Sequence, residues 1–218
     1  MSLPTGVLAR GPWRQADVHV SWSDEPYAPP QESIDAADRL LAGLRDRGSP
    51  AHDGLAARLR GFSVEGGALT LECEPVRWAV RLLPEGAAQS LSATCVVRSA
   101  DGRWLAGRRA AWLATWAERW ALGAAGSVEV GENPAETLVR ELDEEWSVRP
   151  ERFSVEALVK LPSGLVSLVG LAWLPDDTAV TPDAEHDEFE WWPADVASWP
   201  EQADAPLRRL AELVTPPG

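Results

Sequence analysis

Three glutamates between positions 141 and 145 carry the clearest chemistry in this sequence. Glu141, Glu144 and Glu145 follow the spacing i, i+3, i+4, so a helix places all three carboxylates on one face. Like charges this close repel each other, and a cation among their oxygens relieves the repulsion. Hard divalent cations such as Mg²⁺ take oxygen ligands and keep waters that a phosphate can replace. The triplet therefore indicates either a metal site or an ordinary charged helix surface.

The helix that carries these glutamates is well specified by its own sequence. Asn133 is a good N-cap, and Pro134 fits the first helical position. Apolar residues then recur at helical spacing and predict a buried stripe, with the glutamates on an adjacent charged edge. The stripe consists of Ala135, Leu138, Val139, Leu142 and Trp146.

A longer pattern surrounds the same glutamates, over residues 126–148. It resembles the Nudix box, G-x5-E-x7-R-E-U-x-E-E-x-G-U, in which U is a bulky aliphatic residue. Every fixed position agrees except the final glycine, which is Ser147 in this chain. The matching residues are Gly126, Glu132, Arg140, Glu141, Leu142, Glu144, Glu145 and Val148. The sequence therefore resembles the Nudix hydrolase superfamily.

The resemblance implies a loop–helix–loop that binds a divalent metal, Mg²⁺ or alternatively Mn²⁺. Glu141, Glu144 and Glu145 would supply metal ligands and catalytic groups, and the backbone at Ala125 would also approach the metal. The general base would be one glutamate, from the box or from a later acidic loop.

The remaining box residues would position these groups. By the same resemblance, Arg140 would orient a catalytic glutamate and Glu132 would pair with Arg140. Gly126 would let the backbone approach the metal or the substrate phosphates, because no side chain fits there. Ser147 stands where a glycine usually takes a left-handed conformation, so serine either costs about 1 kcal/mol or the loop turns differently.

Several residues outside the box are candidates for substrate binding. Nudix proteins often carry an arginine at the end of the strand that finishes with Arg108 and Arg109. Because side chains alternate along a strand, only one of the two faces the site, and we select Arg108. Arg119 is a weaker candidate. Trp112 would stack on a nucleobase, unless the tryptophans of this segment build the core and a subunit contact instead.

An acidic segment near residue 188 is the second source of catalytic candidates. Family members can place an extra ligand or the general base in such a loop, and neighbouring carboxylates can tune its pKa for that task. We select Glu188, followed by Glu185, and a solvated acidic loop is the alternative. His186 titrates near neutral pH and is a further candidate base.

Composition limits the classes of partner and compartment. The chain has 218 residues, 45% of them hydrophobic, and a formal net charge of −14. That charge disfavours nucleic acid and anionic membranes, both of which require basic surfaces. The sequence contains two cysteines, Cys73 and Cys95, which we expect to be buried and reduced in a cytoplasmic protein. We expect neither a signal peptide nor a membrane span.

The chain divides near residue 88 into two predicted parts. Residues 1–87 are expected to form a small α+β module, and residues 88–218 an α/β/α sandwich of the Nudix type. In the first part we predict a strand at 16–23, a helix at 31–47 and a hairpin at 62–64 and 68–73. In the second we predict strands at 92–98, 103–109, 153–160, 165–174 and 188–192, a segment at 120–128 that leads into the box helix, and a C-terminal helix at 206–214.

The sequence thus predicts a Mg²⁺-dependent hydrolase that cleaves a pyrophosphate bond. Its substrate would be a small nucleoside diphosphate linked to another group, such as a nucleotide sugar. Two alternatives remain open: a Nudix-fold nucleotide sensor without catalytic activity, and an assembly protein that uses its tryptophans for contacts. A homodimer is a further expectation.

Overall fold

The computed structural model describes residues 3–48, 53–83, 89–175 and 178–215. In these ranges two sheets and three α-helices account for the main elements. The strands are β1 Gly6–Trp13, β2 Val18–Trp22, β3 Leu55–Glu65, β4 Ala68–Arg77, β5 Leu91–Ser99, β6 Trp104–Arg109, β7 Trp120–Leu122, β8 Ala124–Ser127, β9 Arg152–Lys160, β10 Val166–Leu174 and β11 His186–Trp192. The helices are α1 Gln31–Asp46, α2 Pro134–Trp146 and α3 Ala205–Val214.

The larger sheet has helices on both faces. Its strand order is β1-β9-β10-β5-β6-β11, with β7 paired to β6 and β8 paired to β5. Side chains alternate along β5, so Cys95 packs into the cluster that contains Leu138 of α2. The next residue, Val96, packs into the cluster that contains Leu207 of α3. The two helices therefore cover opposite faces, and the predicted α/β/α sandwich is confirmed.

The smaller sheet, in the order β2-β4-β3, packs on the α2 side of the larger one. Its buried residues Leu59, Leu69 and Leu71 belong to the same hydrophobic cluster as Leu138 of α2. The β3–β4 hairpin turns through Gly66 and Gly67 at φ 58° and 84°, which a two-residue turn of this kind requires. The shared cluster means that the two sheets are stabilised by one continuous core.

The first strand was not predicted. β1 pairs antiparallel with β9, with Gly6 opposite Lys160, so it extends the edge of the larger sheet. Its residues thus lie in the sheet of the second unit, although they belong to the predicted N-terminal module. Pro12 is tolerated there because an edge strand does not need every N–H. The predicted boundary itself, at 87 and 88, lies outside the described residues.

Most other elements agree with the prediction to within a few residues. Helix α1 buries Ala37, Leu41 and Leu44, whereas Leu40, at a similar apolar position in the sequence, is 41% exposed. Cys73 and Cys95 are both buried free thiols. Among the described residues, no helix has the length and apolar character needed to cross a membrane.

Helix α2 begins with a side-chain N-cap and ends in a left-handed C-cap. The side chain of Asn133 accepts a hydrogen bond from the backbone N–H of Ala135 at 3.0 Å. Ser147 ends the helix in the left-handed region, at φ 55° and ψ 39°. The N–H of Ser147 donates to Asp143 O at 3.0 Å, and that of Val148 donates to Leu142 O at 3.3 Å. Ser147 therefore has the left-handed conformation that glycine adopts most readily.

Replacing that serine with glycine is expected to stabilise the protein. A serine Cβ is disfavoured at positive φ, so Ser147→Gly should raise the free energy of unfolding by about 1 kcal/mol in urea titrations. Thr215 ends α3 at φ −91°, where glycine relieves no strain, so Thr215→Gly is the matched control and should give no gain. Equal effects of the two substitutions would contradict the strain at Ser147.

Candidate active site

The three box glutamates do not share one environment. Glu141 and Glu145 are buried, at 8% and 3% exposure, whereas the side chain of Glu144 is 57% exposed. The expectation of a single charged edge is therefore wrong for two of the three. Two desolvated carboxylates, one turn apart, face the strand that carries Ala125 and Gly126.

Glu145 holds one oxygen in place and leaves the other without a hydrogen bond. Its Oε1 accepts from the backbone N–H of Ala125 at 3.1 Å. Its Oε2 is buried and has no hydrogen-bond partner among the described residues, and neither has Nε2 of His186, 3.7 Å away. Burial, together with the charge of Glu141, raises the pKa of Glu145 to about 9. This carboxyl is therefore poorly stabilised as an anion by the protein alone.

Glu141 occupies the space above Gly126. Burial raises the pKa of Glu141 to about 7, although Arg140 Nη1 lies 2.8 Å from its Oε1. A Cβ at position 126 would overlap the Glu141 carboxylate, so glycine is needed there. The predicted close approach at Gly126 is thus an approach to a glutamate.

Adding that methyl group is expected to damage the site. Gly126→Ala should lower the free energy of unfolding by about 1–3 kcal/mol, because the carboxylate must move from a packed position. Gly43, in the middle of α1, has no atom within 4 Å of an added Cβ. Gly43→Ala is therefore the control and should stabilise by about 0.5–1 kcal/mol. Chemical denaturation measures the free energy of unfolding of both variants. A Gly126→Ala protein as stable as the wild type would contradict the expected loss.

Arg140 braces the loop that precedes α2. Its Nε lies 2.9 Å from Glu132 Oε1, and its Nη2 donates to the carbonyl of Ser127 at 3.3 Å. Its Nη1 lies 2.8 Å from Glu144 Oε2. Glu132 also accepts from the backbone N–H of Glu129 at 3.1 Å. The structure thus contains the Arg140–Glu132 pair that the resemblance implied.

The structure places Arg109, rather than Arg108, beside these carboxylates. In β6, Leu105 packs in the α2 cluster and Ala106 in the α3 cluster, so alternation puts Arg109 on the α2 face. Arg108 points to the other face, where its Nη1 lies 3.0 Å from Asp187 Oδ2. Arg108 therefore lies on the face away from these carboxylates, where we had expected it to face the site.

In the acidic segment too, the structure brings the second candidate, rather than the first, to these carboxylates. Glu188 is exposed and stands opposite Arg108 in the β11–β6 pairing, so it shares the face away from α2. Glu185 is half-buried, with its Oε2 3.4 Å from Arg109 Nη2. Burial raises the pKa of Glu185, and its charge acts on both Glu141 and Glu145. The structure thus brings Glu185, our second candidate, to the site in place of Glu188.

His186 is buried against the end of α2. Its ring centroid lies 4.5 Å from that of Trp146, and its Nδ1 lies 3.4 Å from Asp183 Oδ1. Burial lowers the pKa of His186, which favours the neutral ring at neutral pH. Its position depends on packing against Trp146, which no local sequence pattern indicated.

Two exposed tryptophans, Trp112 and Trp116, lie in the segment between β6 and β7, at 41% and 43% exposure. Arg119 covers the ring of Trp116 at 4.9 Å and lies 2.6 Å from Asp204, the N-cap of α3. Arg119 therefore lies at the α3 end of the molecule.

A family model described as the NUDIX domain matches residues 88–214, more than half of the chain. The chain belongs to the Nudix family. The recognition based on the box is confirmed, and the protein is a Nudix-type pyrophosphohydrolase, a hydrolase that acts on acid anhydrides. No curated protein matched the chain.

Solved structures of Nudix proteins share the fold. The NUDIX domain of Shewanella oneidensis NrtR, complexed with ADP ribose, is 22% identical, with a TM-score of 0.46 over 57% of this chain and 87% of that one. A MutT NUDIX hydrolase from Burkholderia pseudomallei is 20% identical, with a TM-score of 0.46 over 58% and 98% of the two chains. A C. elegans Ap4A hydrolase is 18% identical, with a TM-score of 0.38 over 46% and 77%. These similarities concern the fold alone.

Nudix hydrolases generally use divalent metal ions, and the donor set here fits one. Among the described residues no three His, Cys, Asp or Glu side chains already converge on a common point, since Glu144 is turned towards Arg140. Yet Glu141 and Glu145 are desolvated, and Glu145 has an oxygen without a partner. A divalent cation would supply the charge that these two carboxylates lack, and oxygen donors suit Mg²⁺.

Proposed function

We propose that this protein uses Mg²⁺ to hydrolyse a pyrophosphate bond in a nucleoside diphosphate linked to another group, such as a nucleotide sugar. The observation that carries the proposal is the pair of buried carboxylates, Glu141 and Glu145, in a Nudix box. A chain with a net charge of −14 repels an anionic substrate, so a cation at this pair would reverse the local field. We include Mn²⁺ as an alternative metal.

Each box residue has a role in this proposal. Glu141 and Glu145 would hold the cation, with Glu144 as a further ligand. When bound, the cation would neutralise charge on the phosphate oxygens and make the attacking water easier to deprotonate. Arg140 holds Glu132 and the loop in place. Glu185 accepts a proton from the water, because its carboxyl is half-buried beside the other two and its raised pKa suits a base.

The nucleobase contact of Trp112 remains part of the proposal. The loop that carries Trp112 starts at Ala110, whose N–H donates to Glu185 O at 2.8 Å. The loop therefore begins at the rim of the site, two residues before Trp112. The exposed indole of Trp112 offers a stacking surface to a base whose diphosphate lies at the glutamates.

A substrate panel tests the function directly. The purified chain would be incubated with Mg²⁺ or EDTA and with nucleotide sugars, ADP-ribose, dinucleoside polyphosphates, NADH or coenzyme A. Phosphatase added afterwards releases phosphate from the products and not from the intact diphosphate diesters. Coenzyme A, whose 3′-phosphate is itself a phosphatase substrate, would be followed through release of 4′-phosphopantetheine instead. Nucleoside triphosphates would be followed through pyrophosphate release instead.

Each outcome has a clear meaning. Mg²⁺-dependent phosphate release from one of the linked diphosphates supports the proposal and names the substrate class. Turnover of triphosphates alone would overturn the linked-diphosphate assignment. Tight binding of a panel member without turnover would favour the sensor alternative, and neither Mg²⁺ nor nucleotide binding would favour the assembly protein.

A further inference from the structure

His186 and Glu145 each have one buried polar atom without a hydrogen bond, and the two atoms are neighbours. Nε2 of His186 lies 3.7 Å from Oε2 of Glu145, and the two side chains are 1% and 4% exposed. Neither atom has a hydrogen-bond partner among the described residues. The separation is too long for a hydrogen bond between them. Leaving two such atoms unsatisfied costs free energy, so the pair is suited to a third group that binds both.

The ring of His186 is held in place by packing and by the segment that precedes it. Its centroid lies 4.5 Å from that of Trp146, and a Cβ on Gly107 of β6 would overlap both rings. The N–H of Asp183 donates to Glu145 O at 2.9 Å, which ties this segment to the end of α2. The fold therefore fixes the position of the imidazole relative to Glu145.

The far side of the ring determines which nitrogen has a lone pair. Nδ1 of His186 lies 3.4 Å from Oδ1 of Asp183, which also accepts from the N–H of Glu185 at 2.9 Å. A carboxylate only accepts hydrogen bonds, so we assign the proton of the neutral ring to Nδ1. The lone pair is then on Nε2, the nitrogen beside Glu145. A carboxylate behind the ring is also the usual outer partner of a metal-binding histidine.

A divalent cation would satisfy both atoms. Bonds of about 2.0–2.2 Å from a nitrogen and an oxygen to one cation place the two donors about 3–4 Å apart. The observed 3.7 Å falls in this range. The other coordination positions remain for water and phosphate oxygens, as a catalytic cation requires. An imidazole nitrogen binds transition-metal ions well, whereas Mg²⁺ prefers oxygen donors.

We propose that His186 binds a divalent transition-metal ion through Nε2, together with Oε2 of Glu145. The inference rests on the proposed function, which makes Glu145 a cation ligand, and deepens it by naming the class of cation that the site selects. Asp183 positions the imidazole and does not touch the ion. A glutamate of the Nudix box thus shares its cation with a residue outside the box.

Pulsed electron paramagnetic resonance of Mn²⁺ bound to the intact chain tests this assignment without substrate or turnover. An imidazole nitrogen on the ion gives ¹⁴N modulation of the echo, which we expect in the wild type and not in His186→Gln. His19 is exposed on β2, so His19→Gln is the matched control and should keep the modulation. Wild-type protein labelled with ¹⁵N at histidine should lose the ¹⁴N pattern as well, and this measurement needs no substitution.

Calorimetry measures what the nitrogen contributes to affinity and selectivity. His186→Gln should raise the Kd for Mn²⁺ by about tenfold or more, because a ligand is lost. The Kd for Mg²⁺ should change by less than about threefold, since Mg²⁺ is held through oxygen. The preference for Mn²⁺ over Mg²⁺ should therefore narrow in this variant and stay the same in His19→Gln.

The outcomes separate this inference from the function on which it rests. Bound Mn²⁺ without histidine modulation would overturn the role of His186, as would equal rises in the two Kd values, which indicate a loss of packing alone. Wild-type protein that binds no Mn²⁺ would overturn it too. Mg²⁺-dependent turnover in the substrate panel without histidine modulation overturns the ligand and leaves the proposed function standing. Modulation without turnover of any panel member does the reverse. If His186→Gln unfolds, the ¹⁵N-labelled wild type decides the assignment.

Discussion

Glu145→Gln is expected to lower turnover by about 100- to 1000-fold while the protein stays folded. Glu145 is the most buried of the three box glutamates and has the oxygen without a partner, so it is the ligand that gains most from a cation. A glutamine has the same shape but no negative charge to offer. The loss should appear in kcat with the substrate found in the panel, measured with Mg²⁺ at pH 8.

The fold should tolerate this substitution for a specific reason. Without metal, the pKa of Glu145 near 9 keeps the carboxyl mostly neutral at pH 7, and a neutral amide replaces it well. The amide oxygen can still accept from Ala125 N–H. The melting temperature in EDTA should therefore stay close to that of the wild type, whereas the rise in melting temperature caused by Mg²⁺ should disappear.

A neighbouring acidic residue gives the matched control. Asp143 lies on the same helix, is half exposed and pairs with Arg149 at 3.6 Å, outside the group of site residues. Asp143→Asn removes one charge from α2 as Glu145→Gln does, yet it should leave kcat near the wild-type value. If the two variants lose activity equally, the effect comes from the net charge of the helix and Glu145 is not the ligand.

The helix of the site could be predicted because its determinants are local. The N-cap Asn133, the apolar stripe and the box glutamates all lie within 14 residues of sequence, from 133 to 146, and the structure places them as one helix. The Arg140–Glu132 contact also lies within this segment and its loop, and it was implied by the resemblance. The burial of Glu141 and Glu145 could not be read there, because it depends on β8 covering one side of the helix.

Residues contributed by strands were predicted less well, because their direction depends on pairing far along the chain. Choosing between Arg108 and Arg109 requires knowing which face of β6 carries α2. β11 was expected to begin at 188, whereas it begins at His186 and has a bulge between His186 and Glu188, which puts Glu188 on the face away from α2. A shift of one residue moves a side chain to the opposite face of a sheet.

Contacts between the two parts of the chain were the hardest to predict. β1 pairs with β9, about 150 residues later, and its glycines and Pro12 weaken the strand pattern. The apolar segment at 76–82 combines the end of β4 with a 3-10 turn, so no single periodicity runs through it.

Raising the pH from 7 to 8.5 is expected to destabilise the metal-free protein, and Mg²⁺ is expected to offset this loss. Glu145 ionises near pH 4.5 in an unfolded chain but near 9 in the folded one. Between these values the folded state binds one more proton than the unfolded state, so stability falls as the pH rises. The slope reaches about 1.4 kcal/mol per pH unit for one such group and levels off above its folded pKa.

Other groups also titrate between pH 7 and 8.5, so the comparison with Glu145→Gln is what isolates this carboxyl. Glu141, with a pKa near 7, completes its titration inside the window, and the thiols of Cys73 and Cys95 begin to ionise there in the unfolded chain, whereas His186, with a lowered pKa, changes its charge mainly below it. The positive charge of Arg109 already contributes to the pKa of Glu145. In urea titrations with EDTA, the free energy of unfolding should fall with rising pH for the wild type and fall less steeply for Glu145→Gln.

Added Mg²⁺ should stabilise the wild type more at pH 8.5 than at pH 7, because the ligand must lose its proton to bind the cation. If the free energy of unfolding falls equally steeply with pH in the two proteins, Glu145 is ionised at neutral pH without metal. Its burial would then need a counter-charge from the protein itself.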